Sequence, residues 1–198
     1  MKIIKKEILV NKCSPEEEAL ILPVLNTIDT AIKCVANPPS DYTFKIRPIK
    51  KANGVKPIKD LFVSHLHSEG WKLEAKIALG SRIRPGPIDA IYKISENVFF
   101  AVEWETGNIS SSHRAINKLC LGIMDNKLLG GILVLPSRKL YQYLTDRVGN
   151  FSEIEPYFPI WRNVKLDRGY LSVIEIEYDS LDDTIPCIPK GTDGRHNR

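Results

Sequence analysis

Three short apolar runs, Trp71 to Ile77, Ile88 to Ile94 and Val98 to Glu105, constrain the fold more than any other feature of the chain. They are rich in apolar residues and separated by turn signals such as Ser95-Glu96-Asn97, so each reads as a strand. On both sides the pattern changes to a helical period. Ser14-Pro15-Glu16-Glu17 is a helix start, with Ser as N-cap and Pro and Glu in the first turn. That helix is expected to reach Val35, with a bend at Pro23, and Asn37-Pro38-Pro39-Ser40 stops it. A second helix is expected from Pro57 to just before Gly70, with Ile58, Leu61, Phe62 and Leu66 on one face. Residues 110–125 are helical, with Ile116, Leu119, Cys120 and Ile123 together. Gly131 to Leu135 is a strand, Ser137 to Val148 and Phe151 to Phe158 are helices, and Leu171 to Tyr178 is a last strand. Residues 40–55 are loop with one short extended piece, and Asp182 to Arg198 is a polar tail. This order predicts a mixed α+β (α/β) fold: a central mixed β-sheet flanked by helices on both sides. The 198 residues fit a single domain, 1–198.

The charge balance is mildly basic: 28 Lys and Arg against 24 Asp and Glu, net +4. A sequence-indifferent DNA coat carries more; a small excess suits basic residues gathered in one cleft while carboxylates serve elsewhere. The start, M-K-I-I-K-K-E, lacks the apolar core of a secretion signal, and no apolar run is long enough to cross a membrane. Cys13, Cys34, Cys120 and Cys187 are scattered without a C-x-x-C pair, as expected of reduced thiols in a cytoplasmic protein.

The chemistry concentrates between Asp89 and Arg114. Glu103 and Glu105 lie two apart in a predicted strand and share a face. Asp89 opens the preceding strand, after Gly86-Pro87. Paired as a hairpin, these strands bring three carboxylates to one end of the sheet. Like-charged carboxylates at close range need a cation, and hard oxygen ligands favour magnesium or manganese over zinc. Taken alone, two glutamates flanking a Trp also read as a solvated strand face. An apolar run leading directly into them favours a metal site. The polar loop that follows, Thr106 to Arg114, is a helix start suited to a phosphate, which is the natural partner of a bound metal. Asn108 or Ser110 can cap it, and Arg114 reads equally as a solvated helix residue.

The spacing resembles the P-D…(D/E)-x-K signature of metal-dependent nucleases, with Asp89 and Glu103 as its acids and Glu105 in place of its lysine. More specifically, E-x-E-T-G-N-I-S-S-x-H-R-x-x-N-K-L (Glu103 to Leu119) resembles the BamHI family of type II restriction endonucleases. So do N-G-V-x-P-I-K (Asn53 to Lys59), G-P-I-D (Gly86 to Asp89), Y-L-T-D-R-V (Tyr143 to Val148), N-F-x-E-x-E-P-Y-F (Asn150 to Phe158) and I-P-K-G-x-D-G (Ile188 to Gly194). The blocks keep the family's order and cover most of residues 50–194; the residues before them show little match, and the chain ends soon after the last block.

The resemblance implies a PD-(D/E)xK-like core and a homodimer acting on double-stranded DNA. It implies cleavage of the palindrome GGATCC after its first G, leaving 5′ GATC ends. Mg2+ would be the cofactor, Mn2+ would substitute, and Ca2+ would support binding without cleavage. Asp89 and Glu103 would hold metal together with the Trp104 carbonyl, and Glu74 stands where a further acidic ligand is expected. Glu105 would act as base or orient the water. Asn108, Ser110, Arg114, Asp146, Arg147 and Asp193 would read bases, with Gly194 at the minor groove and Lys59 on the phosphate backbone. A companion DNA methyltransferase is expected in a host carrying such an enzyme.

By themselves Asp146-Arg147 also reads as an ion pair near a helix end, and Asp193 as a turn residue. Three other readings compete: a sequence-specific DNA-binding protein that does not cut, a nuclease of the same superfamily with another specificity, and a zinc protein using His65 and His67. The histidines diverge on a helix and no cysteine motif completes a zinc site.

Overall fold

The computed structural model describes residues 1–78, 86–145 and 147–191. Its centre is a six-stranded sheet in the order β1-β7-β6-β5-β4-β3. The expected antiparallel meander is present: β3 (Lys72–Ala75), β4 (Ile88–Ser95) and β5 (Val98–Trp104) pair in succession. Strands β5, β6 (Leu128–Pro136) and β7 (Tyr170–Glu177) then run parallel. The sheet is therefore mixed, and β6 is buried at every residue, as a parallel strand covered on both faces must be.

Strand β1 (Lys2–Asn11) closes the other edge, antiparallel to β7. The sequence reading did not expect it. Lysines and glutamate interrupt its apolar residues, which is how edge strands avoid pairing with other chains.

Helix α1 (Pro15–Lys33) begins at Ser14 with a full capping box and runs through Pro23. With α2 (Lys56–Ser68) it covers one face of the sheet around Ile28, Ile32, Phe62, Phe100, Val102 and Ile174. The α2 face is Ile58, Phe62 and Leu66; Leu61, expected on it, is 44% exposed. Helix α3 (Ile109–Met124) covers the other face, where Ile116, Leu119 and Ile123 meet Ala101, Leu133 and Val173. The segment after β6 is shorter in helix than expected. Helix α4 (Arg138–Tyr141) stops early, because the chain turns to bond the Asn53 loop: Asn53 N–H donates to the Tyr143 carbonyl and Thr145 N–H to the Asn53 carbonyl. The predicted helix 151–158 is broken into α5 (Phe151–Ile154), a 3-10 turn (Glu155–Tyr157) and α6 (Phe158–Arg162). A two-residue parallel pair, β2 (Lys45–Ile46) with β8 (Ser180–Leu181), lies apart from the main sheet. Among the described residues no helix is long and apolar enough to cross a membrane.

Candidate active site

The carboxylates stand where β4 and β5 leave the core. Pairing matches Ala90 with Val102, so the next step along the ladder sets Asp89 against Glu103. Side chains alternate along β5: Phe100, Val102 and Trp104 join the α1–α2 face and Ala101 joins the α3 face. The Trp104 ring, 4.7 Å from that of Phe62, anchors this rotation. Glu103 and Glu105 consequently turn toward α3 and are 6% and 7% exposed. Gly86 provides the tight approach to Asp89 expected from Gly-Pro; its φ is 84°.

Each carboxylate is differently held. Asp89 Oδ2 accepts from the Trp104 N–H at 2.8 Å, and its Oδ1 accepts from the Lys59 ammonium at 2.5 Å. Glu103 Oε2 lies 3.4 Å from the Asp89 N–H. Its Oε1 meets the Lys118 ammonium in an ion pair and, among the described residues, has no well-directed hydrogen bond. Glu105 Oε1 accepts from the Gly107 N–H at 2.5 Å, and its Oε2 is buried with no donor aligned on it among the described residues.

Protonation follows from these surroundings. Burial, and then the charge of Asp89, push the Glu103 carboxyl up to about 7; Lys118 opposes the rise. Burial also raises Glu105, restrained by neighbouring Ser112 and by the Gly107 and Thr106 amides. Burial pulls the Lys59 ammonium down, but the charge and hydrogen bond of Asp89 outweigh it, so Lys59 stays protonated.

Glu74 is less closely engaged. It lies on β3 across from Asp89, between the pairs Leu73–Ala90 and Ala75–Ile88, with φ 46°. Its side chain is 63% exposed and, among the described residues, reaches only the Lys59 ammonium, at 3.9 Å. The geometry thus gathers Asp89, Glu103 and Glu105 and leaves Glu74 at the rim. Among the described residues no three Asp, Glu, His or Cys side chains stand as a ready-made metal cage. Magnesium does not need one: it commonly takes one or two carboxylates and completes its shell with water and substrate phosphate. Two apposed acids, one with an oxygen that lacks a directed donor, suit such an ion. The cationic groups at these oxygens here are Lys59 and Lys118.

The site opens into a cleft of about 1180 Å³, whose lining includes Lys56, Lys59, Asn108, Arg147 and Lys190, with an inner recess of about 280 Å³ over the carboxylates. Asn108 caps α3, its Oδ1 accepting from the Ser111 N–H at 3.2 Å. Ser110 and Arg114 are exposed on the first turns of that helix. Asp146, Asp193, Gly194 and the tail Arg195 to Arg198 lie outside the described residues.

Three of the sequence blocks meet at one crossing. Asn53 is fully buried: its amide donates to the Arg47 and Tyr143 carbonyls and accepts from the Ile188 N–H. A Cβ on neighbouring Gly54 would fall 2.1 Å from the Pro189 carbonyl oxygen, so only glycine lets the final segment pass. This junction ties the chain before Arg147 and the chain around Lys190 to the same buried amide.

Lys118 received no role from the sequence, although it lies inside the matched block. Its signal was a lysine set among the apolar positions Ile116, Leu119 and Cys120. Lys56 and Lys190 also went unassigned; surface lysines carry little signal until the fold places them on one cleft.

Comparison with known proteins agrees with this architecture. The family described as restriction endonuclease BamHI matches residues 1–195, and so includes the N-terminal segment in which the sequence blocks showed little match. The type II restriction enzyme OkrAI of Oceanobacter kriegii is 52% identical over 195 residues, covering 98% of this chain and 98% of that protein. The type II restriction enzyme BamHI of Bacillus amyloliquefaciens is 34% identical over 205 residues, covering 98% and 93%. Among solved structures, restriction endonuclease BglII complexed with a DNA 16-mer superposes with a TM-score of 0.61 at 11% identity, over 89% of this chain and 79% of that one. Free BglII gives 0.50 at 8% identity, over 89% and 81%. At such low identity these two likenesses concern the fold.

Proposed function

Because the chain belongs to the BamHI family of type II restriction endonucleases, and is therefore a DNA hydrolase, we propose that it is a magnesium-dependent homodimer that cuts GGATCC after the first G and leaves 5′ GATC ends. The observation that carries this reading is the Asp89–Glu103 pair, set at the floor of a cleft with lysines and an arginine on its walls. A lysine- and arginine-bearing wall accepts the phosphate backbone, and the acids accept the metal that the reaction needs.

Asp89 and Glu103 would hold the metal, with the Trp104 carbonyl beside them and Glu74 as a further, rim ligand. When bound, magnesium would activate a water and take up charge on the phosphate; Mn2+ would substitute for it. Glu105 serves as base. Burial raises its affinity for a proton, and the Gly107 N–H fixes the carboxylate on the recess that it lines with Asp89 and Glu103. Lys59, between Glu74 and Asp89, contacts the incoming phosphate. Asn108, Ser110 and Arg114 enter the major groove from the start of α3, and Arg147 from the neighbouring loop, whose Gly149 N–H donates to the Gly107 carbonyl; Asp146 is a further base reader. Arg forks pair with guanine, Asn with adenine, and a carboxylate with cytosine N4. Asp193 and Gly194 complete the contacts. His113 and Asn117 of α3 meet Tyr157 and Trp161 of the following segment, and Leu121, Met124, Tyr157 and Ile160 on these elements are exposed, which supports a dimer through that surface.

A plasmid carrying one GGATCC site tests the proposal. With magnesium, the expected outcome is a single cut with 5′ GATC ends; with chelator, none; with calcium, a site-specific gel shift without cutting. A shift without cutting in magnesium would leave a binding protein with an inactive centre. Cutting at another sequence would preserve the nuclease and overturn the specificity.

A further inference from the structure

Lys118 has no part in the proposed chemistry, yet its placement is specific. Lysine is rarely buried unless paired, and Lys118 is 7% exposed. It sits one helical turn beyond Arg114 on the same face of α3. Among the described residues its ammonium makes two contacts, one with Glu103 Oε1 and one with the Pro87 carbonyl at 2.6 Å. Glu103 belongs to β5, and Pro87 leads into β4 two residues before Asp89. One ammonium therefore spans both strands that supply the apposed acids. Stability alone does not account for this pair, since a buried ion pair is often no more stabilising than well-packed apolar side chains.

The signature that this chain resembles carries a lysine on the strand itself, where Glu105 now stands. We propose that Lys118 is the positioning residue of the hydrolytic site, holding the Glu103 carboxylate and the Pro87–Asp89 approach in register from α3 in place of that strand lysine. The proposal rests on the endonuclease reading above. Lys118 does not touch the reacting phosphate; it acts through Glu103.

The test compares the full-length chain with Lys118→Met, which keeps the apolar stem without the charge, Lys118→Gln, which can still donate to Pro87, and Lys118→Arg, which keeps the charge. Circular dichroism and thermal melting establish that each variant is folded, and the Gln variant decides if the Met variant is not. Two readouts are taken: single-turnover cleavage of a GGATCC duplex across a magnesium titration, and calorimetric binding of Mn2+ to the DNA-free protein. We expect the neutral variants to cut about 10²-fold more slowly, the size of loss that a misplacement of about 1 Å produces in a catalytic site. Their half-saturating magnesium should rise and their Mn2+ binding should weaken, with partial recovery of both in Lys118→Arg. A folded neutral variant with wild-type cleavage and wild-type Mn2+ affinity overturns the proposal. So does tighter Mn2+ binding with undiminished cutting, which would make Lys118 a competitor of the metal. If the wild-type chain cuts no DNA at all, the endonuclease reading fails, and the Mn2+ comparison still decides the role of Lys118.

Discussion

Trp104 sets what the glutamates on either side of it can do. Its ring occupies the apolar layer beside Phe62, and the alternation of the strand then sends both carboxylates to the opposite face, out of water. Sequence spacing was enough to see that Glu103 and Glu105 share a face, and the Gly-Pro approach was enough to bring Asp89 near them. It was not enough to see Lys118, because a helix residue fifteen positions downstream of Glu103 meets it only once α3 has packed on the sheet. Burial has a measurable cost. The Glu103 carboxyl titrates near 7 in the folded chain against an ordinary 4.5, so between those values the folded state retains a proton that the unfolded state has released. Stability then falls as pH rises through that window, and it is greatest below it. In chelator, the melting temperature should be lower at about pH 8 than at about pH 5, and Glu103→Gln should reduce that slope. Calorimetry of both proteins across the range checks this; an unchanged slope in the variant would assign the effect to other buried acids, such as Glu105.

At the scale of elements, the legible parts were those whose cause is local. The capping box of α1, the three-strand meander and the apolar face of α3 all follow from neighbouring residues. Strand β1 was not legible, since its charged residues look unlike a strand until β7 lies beside it. The helix expected to reach Val148 was overextended for a similar reason: the Asn53 amide captures the backbone near Tyr143, from about ninety positions away. The turn between β5 and α3 is the element on which reading and cutting both depend. A Cβ at Gly107 would lie 2.7 Å from Ser111 Oγ and 3.2 Å from Glu105 Oε1. Gly107→Ala must therefore shift the start of α3 or the Glu105 carboxylate. The expected result is cleavage slowed by about 10²-fold, with the melting temperature little changed. Wild-type single-turnover cleavage in that variant would mean that the loop yields without disturbing the carboxylate.

For the molecule as a whole, the sheet divides labour between its faces. One face is closed by α1 and α2; the other carries α3, with an apolar margin at Leu121, Met124 and Ile160 that no described part of the chain covers. Ile160 is 62% exposed. If two chains meet there, Ile160→Asp sets like charges near the two-fold axis and should convert dimer to monomer in sedimentation, with loss of double-strand cutting. A variant dimer of undiminished affinity would put the interface elsewhere. Strand β1 is synthesised before the other described strands of the sheet and waits longest for its partner. Lys2 pairs with Glu177, and the interior of the sheet lies between them in sequence. A ribosome must deliver the strands from β3 to β7 before β1 has a strand beside it, and a chain halted before Tyr170 leaves this sheet unfinished.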